Sequence, residues 1–130
     1  MKKAVCVLVK VDSEYLVVNR PNSSMVGLVG GKVDPGENEL EAILREVKEE
    51  VGLVLEPLLF EKVYTSVVPG EVDYLSTTFT YPDLTESDIK KIKTEPGLSF
   101  SLVSKEYLTN PKNTPFASYI CDLLSHIKEV

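Results

Sequence analysis

The stretch Gly31-Lys-Val-Asp-Pro-Gly-Glu-Asn-Glu-Leu-Glu-Ala-Ile-Leu-Arg-Glu-Val-Lys-Glu-Glu-Val-Gly-Leu53 decides how this chain is read. Its second half has the marks of a helix over residues 38–51. Asn38 is suited to cap it, and Glu41 three residues on completes a capping box. Leu40, Ile43, Leu44, Val47 and Val51 form one apolar stripe, and Gly52 is a natural C-terminal stop. Glu46, Glu49 and Glu50 stand at i, i+3 and i+4, so their carboxylates emerge on one side of the helix, flanking the stripe. Carboxylates this close repel one another, and helix propensity gives no reason to cluster them. A divalent cation with a preference for oxygen ligands, Mg²⁺ above all, resolves the conflict. The competing account is a solvated acidic face, which explains two glutamates more easily than three beside Arg45 and a glycine-rich turn.

The charge distribution agrees. The net charge is −6, and eight acids between Asp34 and Glu56 against Arg45 and Lys48 account for all of it. Residues 1–32 carry a local excess of three positive charges. An acidic chain is a poor generic binder of nucleic acid polymers. The 130 residues suffice for one domain, 1–130, with no repeat or linker to divide it. The apolar run Ala4–Val9 is too short for a signal-peptide core or a membrane span, so no membrane association and a cytoplasmic location are expected. Cys6 and Cys121 lie far apart inside apolar stretches and read as buried free thiols.

Outside the helix, Ala4–Val11 and Tyr15–Asn19 read as a hairpin. Gly27–Val33 is a short strand breaking into Asp34-Pro35-Gly36. Leu53–Val68 is mostly strand, and Val72–Tyr81 and Leu98–Val103 are further strands. Thr114-Pro115 opens a final amphipathic helix through about Lys128. The order predicts an α+β fold, an α/β/α sandwich with a mixed sheet flanked by helices.

Gly31, Glu37 and the run Arg45-Glu46-Val47-Lys48-Glu49-Glu50-Val51-Gly52-Leu53 together resemble the Nudix box, G-x5-E-x7-R-E-U-x-E-E-x-G-U, where U is a bulky aliphatic. All nine defined positions match, over 23 of 130 residues, which is far more specific than a lone glycine motif. The resemblance implies the Nudix fold of a small MutT-like member. It also implies Mg²⁺-dependent hydrolysis (with Mn²⁺ as a substitute) of a phosphoanhydride in a nucleoside diphosphate linked to another group. Within that class a nucleoside triphosphate cleaved to monophosphate and pyrophosphate leads. A nucleotide-sugar or ADP-ribose pyrophosphatase is the nearest rival, and a silent nucleotide-binding module a third reading.

The resemblance further implies that the Gly31 carbonyl and Glu46, Glu49 and Glu50 hold metal, with Glu37 binding a further ion directly or through water. Arg45 orients a glutamate of the set, Glu49 by preference. The general base is a helix glutamate or a later acid, for which Glu95, Glu86 and Asp88 are candidates. One departure is Val29 where the family often has proline, which alters loop rigidity more than chemistry. Arg20 resembles an arginine that many members aim at a substrate phosphate, and Lys32 is a second phosphate candidate. For both, plain solvent exposure is the alternative. Asn113 resembles an asparagine that reads the base in oxidised-guanine nucleotide hydrolases, with helix capping as the competing role. Phe79, Tyr74 and Phe116 are stacking candidates, with core packing the competing role of each. His126 has no partner at ligand spacing and reads as structural. The substrate is a small molecule, and the chain is a monomer or a homodimer.

Overall fold

The computed structural model describes residues 1–21 and 23–127. Its strands are β1 (Lys2–Leu8), β2 (Lys10–Val11), β3 (Glu14–Asn19), β4 (Val26–Lys32), β5 (Glu61–Val68), β6 (Tyr74–Thr80) and β7 (Ser99–Val103). The helices are α1 (Glu39–Val51), α2 (Glu86–Lys90), α3 (Lys105–Leu108) and α4 (Ala117–His126), with a 3₁₀ turn at Pro57–Leu59. The hairpin predicted at the start is present. Its first strand divides at Val9, and its tip is turned by Asp12 at φ 56°, a left-handed conformation that aspartate tolerates better than most residues.

The strand order is β2-β3-β4-β1-β6-β5, with β7 also pairing β3. β1 and β6 are parallel, and the other pairings between strands are antiparallel. β4 belongs to both halves of the sheet. Its first residues pair with β3 (Val26↔Asn19, Leu28↔Val17), and its later ones with β1 (Val29↔Val7, Lys32↔Ala4).

Side chains alternate between two cores, as a sheet covered on both faces requires. Val5, Val7, Leu16 and Val18 face α1, where Ala42, Ile43, Val47 and Val51 are buried against them. Tyr15, Val17, Val26 and Val103 face the other way, toward Ile120, Leu123 and Leu124 of α4. Each aliphatic side chain withdrawn from water contributes on the order of 1.5–3 kcal/mol before entropy is counted. The mixed sheet between helices is the α+β architecture predicted.

Several boundaries differ from expectation. In α1 the capping box of Asn38 and Glu41 forms, and Gly52 at φ 70° closes the helix with its N–H on the Lys48 carbonyl. Ala42, rather than Leu40 or Leu44, completes the fully buried stripe. The predicted strand from Leu53 begins only at Glu61, because Pro57 lacks an N–H for a ladder and starts a 3₁₀ turn instead. The last helix begins at Ala117, not Pro115. Thr114 is buried and its hydroxyl accepts from the Phe116 N–H, which holds the segment in a turn first. The expected end at Lys128 lies outside the described residues. Cys121 is exposed and Cys6 only half-buried, so the thiols are free as expected but not both enclosed.

Candidate functional site

The three helix glutamates do not share one environment. Glu49 leaves 51% of its side chain exposed, Glu46 14% and Glu50 only 3%. The sequence placed all three on one side of the helix, flanking its apolar stripe; α1 is rotated so that Glu50 points inward, under β4. Its carboxylate is held there by two donors, the Gly30 N–H at 2.9 Å and Arg20 Nη2 at 2.6 Å. Burial pushes the Glu50 carboxyl above its ordinary range, the two donors oppose this, and the charge of Glu95 adds to it. Glu46 is also pushed up, first by burial and then by the like charges of Glu50 and Glu49.

Glycines make this close packing possible. A Cβ on Gly31 would lie 2.6 Å from Glu46 Oε1, and one on Gly30 only 2.1 Å from the Val5 carbonyl oxygen. Neither has a positive φ, so the requirement is space and not backbone conformation. Gly30 as a carboxylate donor was not anticipated; the doublet Gly30-Gly31 inside a strand is the signal that points to a close approach there.

Arg45 is the organising cation of the exposed half. Its Nε and Nη2 form a two-pronged pair with Glu37 at 2.8 Å each, Nη1 reaches both Glu46 and Glu49 at 2.9 Å, and Nη2 also donates to the Lys32 carbonyl. Asp34 lies 3.4 Å from Nε. The principal partner is therefore Glu37, while the Glu49 contact expected from sequence is one of several. Bound to Arg45 and to the Asp34 N–H, the Glu37 carboxyl is held down at about 2. Both of its oxygens are engaged, so as it stands Glu37 acts as the anchor of Arg45.

Of the acids on later loops, Asp88 is committed to the capping box of α2 with Thr85, and Glu86 lies in the first turn of that short helix. Glu95 is different: its N–H donates to the Glu50 carbonyl, which brings its exposed side chain to the C-terminal end of α1.

On the opposite face of the sheet lies a cleft of about 490 Å³ between β1, β4, β6 and α4. Met25, Val26, Leu28, Phe116 and Ile120 give it apolar walls, and Cys6, Ser76 and Tyr119 supply polar atoms. Cys6 Sγ contacts Thr78 Oγ1 at 3.2 Å, and that hydroxyl contacts the Tyr119 hydroxyl at 2.6 Å. Burial pushes the Cys6 thiol up to about 11, so it stays protonated at neutral pH. Arg20, Gly30, Gly31 and Lys32 line the same cleft. Lys32 Nζ sits 5.8 Å above the Tyr74 ring.

Two of the stacking candidates, Tyr74 and Phe116, reach this cleft. Phe79 does not: it is buried on the α1 face with its ring edge-on to Phe60, because its register in β6 turns it away from α4. Asn113 does not line the cleft either. Its amide donates to the Tyr107 carbonyl and its backbone oxygen accepts from Val26, so it does not cap α4. His126 contacts the Asp122 carbonyl through Nδ1 and lies 4.8 Å from the Tyr64 ring.

The donor set fits a hard divalent cation. Two desolvated carboxylates and one exposed carboxylate adjoin a glycine strand edge, and Arg45 and Arg20 are the cations placed on them. Among the described residues no three acidic, histidine or cysteine side chains converge on one ligand point; Arg45 bonds Glu46 and Glu49 together, and Arg20 bonds Glu50. No helix among the described residues is long and apolar enough to cross a membrane.

The fold and the acidic helix seated on a glycine strand define a Nudix-type α+β sandwich. A NUDIX domain model matches residues 1–118, and the chain belongs to that family. The MutT protein from Methanosarcina mazei Go1 shares the fold at a TM-score of 0.78 and 22% identity, covering 98% of this chain and 96% of that one. In sequence, the CTP pyrophosphohydrolase of Escherichia coli (strain K12) is 37% identical over 57 residues, 41% of this chain and 42% of the relative. The ADP-ribose pyrophosphatase of Methanocaldococcus jannaschii is 38% identical over 62 residues, 45% of this chain and 37% of the relative. The matched segments thus span less than half the length of either curated relative.

Proposed function

We propose that this chain, acting as one domain over residues 1–130, hydrolyses a phosphoanhydride bond in a nucleoside diphosphate linked to another group. A nucleoside triphosphate cleaved to monophosphate and pyrophosphate is the leading substrate. The observation that carries this reading is the position of Gly30 and Gly31, which line the apolar cleft and also abut Glu46 and Glu50. A base held between Phe116 and the sheet has its phosphates directed along β4 toward the carboxylates.

Glu46, Glu49, Glu50 and the Gly31 carbonyl would hold Mg²⁺, or Mn²⁺ in its place. When bound, the ion supplies charge neutralisation for the phosphates and acidifies water. The protein supplies positions and proton acceptors. Glu49 is exposed and Arg45 bonds one of its oxygens, leaving the other to accept a proton from an attacking water. Glu95, whose N–H bonds the Glu50 carbonyl at the end of α1, is the alternative base. Water adds across the anhydride, the phosphorus–oxygen bond to pyrophosphate breaks, and the proton passes to the carboxylate. Lys32 and Arg20 at the cleft rim attract the phosphates. A cytoplasmic location belongs to the same proposal.

The ADP-ribose reading rests on the second curated relative, 38% identical over its matched segment against 37% for the first. Incubating the protein and Glu49→Gln with Mg²⁺ and a panel of nucleoside triphosphates, nucleotide sugars, ADP-ribose and dinucleoside polyphosphates separates the two. Turnover of triphosphates with pyrophosphate release is expected. Turnover confined to ADP-ribose would transfer the assignment, and no turnover of any compound by either protein would remove it.

A further inference from the structure

The Arg20–Glu50 pair joins the two halves of the site. Glu50 is 97% enclosed at its side chain, whereas Arg20 is 56% exposed and lines the cleft. Among the described residues its guanidinium has one protein partner, Glu50 Oε2, through Nη2 alone. Its Nε and Nη1 have no hydrogen-bond partner among the described residues, and Arg20 lines the cleft into which a phosphate would arrive. An enclosed carboxylate needs a cation beside it, and Arg20 meets that need from outside the helix.

We propose that Arg20 is a placeholder cation. It neutralises Glu50 while the site holds no metal and competes with the divalent ion for that carboxylate. It transfers to a substrate phosphate when both ligands are present. This inference rests on the reading of Glu50 as a metal ligand given above. It assigns Arg20 a positioning role through Glu50 in addition to phosphate contact, and it makes metal and nucleotide binding mutually favourable. A phosphate that draws Arg20 away frees Glu50 for the ion, and an ion on Glu50 frees Arg20 for the phosphate.

Mn²⁺ titration without nucleotide, reading free Mn²⁺ by electron paramagnetic resonance, tests the competition directly on the full chain. The set is the wild type, Arg20→Ala, Arg20→Gln, Arg20→Lys, Glu50→Gln and the Arg20→Ala/Glu50→Gln double variant. Removing Arg20 is expected to tighten Mn²⁺ binding by about five- to tenfold, at the low end of ordinary coupling between sites. Arg20→Gln keeps the packing and serves if Arg20→Ala does not fold. Arg20→Lys should return the affinity toward wild type, and the Glu50→Gln background should abolish the effect. In nucleotide turnover the Arg20 variants should raise KM more than they lower kcat.

Unchanged or weakened Mn²⁺ binding on removing Arg20, or the same gain in the Glu50→Gln background, overturns the proposal. The metal readout needs no substrate. Failure of the hydrolase reading therefore shows as absent turnover with the Mn²⁺ pattern intact, and failure of the exchange as the reverse.

Discussion

The two faces of the sheet are built in opposite ways. On the α1 face, side chains spaced three and four apart on one helix meet an adjoining strand, and Arg45 ties four carboxylates of that segment together. On the α4 face the cleft is assembled from β1, β3, β4, β6 and the turn before α4, with polar atoms supplied by one residue here and another there. A local constellation can carry fixed chemistry through large changes elsewhere in the chain. A dispersed one changes character with any of its segments. This is the division expected of an enzyme that keeps its reaction and varies its substrate.

That contrast can be broken by mutation. Glu49→Gln should lower kcat by roughly 10²–10⁴-fold, the range for loss of a general base, with KM and the thermal midpoint nearly unchanged because the residue is half exposed. A fall of less than about tenfold would move the proton acceptor to Glu95. Gly31→Ala tests whether the strand edge belongs with the α1 face. Its Cβ would press on Glu46, and displacement of a catalytic group by about an ångström costs on the order of 10²-fold in kcat. Activity near wild type would show that Glu46 moves aside freely. Phe116→Ala should act in the opposite sense, raising KM about tenfold with kcat preserved, as loss of base–aromatic stacking worth about 1–3 kcal/mol requires. Equal loss in kcat and KM would merge the two faces into one functional unit.

The smallest effect concerns pH without added metal. Glu46 and Glu50 have folded pKa values above the ordinary 4.5, so the stability linked to them is fully present below that value and is lost as pH rises through their folded values. Glu37 is held down at about 2, so its contribution is present above 4.5 and is lost as pH falls toward 2. Thermal midpoints of the metal-free protein should therefore rise as pH is lowered toward about 4.5 and fall below it. Saturating Mg²⁺ should flatten the upper limb, because an ion on Glu46 and Glu50 supplies what protonation otherwise does.

Much of the α1 face was legible in the sequence, for the same reason that it is local. The capping box, Gly52 and the i, i+3, i+4 glutamates are statements about neighbours on one helix, and a helix converts spacing into direction. Sequence did not show that Glu50 turns inward or that Arg45 prefers Glu37. Those depend on how α1 is rolled against β4 and on the turn at Asp34 reaching back. The α4 face was barely legible. Phe79 and Phe116 look alike as aromatic residues, yet strand register sends the first into the core and a turn before α4 leaves the second at the cleft. Asn113 does not line the cleft, because its amide bonds the Tyr107 carbonyl, a partner that no spacing rule connects to it. The short helices α2 and α3 went unmarked because one turn carries too little periodicity to stand out.

Membership of β4 in both halves of the sheet has a consequence for how the molecule opens. Its amides are shared between β3 and β1, and one of them, Gly30 N–H, ends on a carboxylate of α1. Local opening that releases β4 must release both neighbours and the acidic helix in the same event. Hydrogen exchange along β4 should then follow global unfolding, while the β5 edge and the segment before α4 exchange through smaller openings. Partial unfolding can loosen what the cleft admits, but it cannot separate the cleft from the carboxylates.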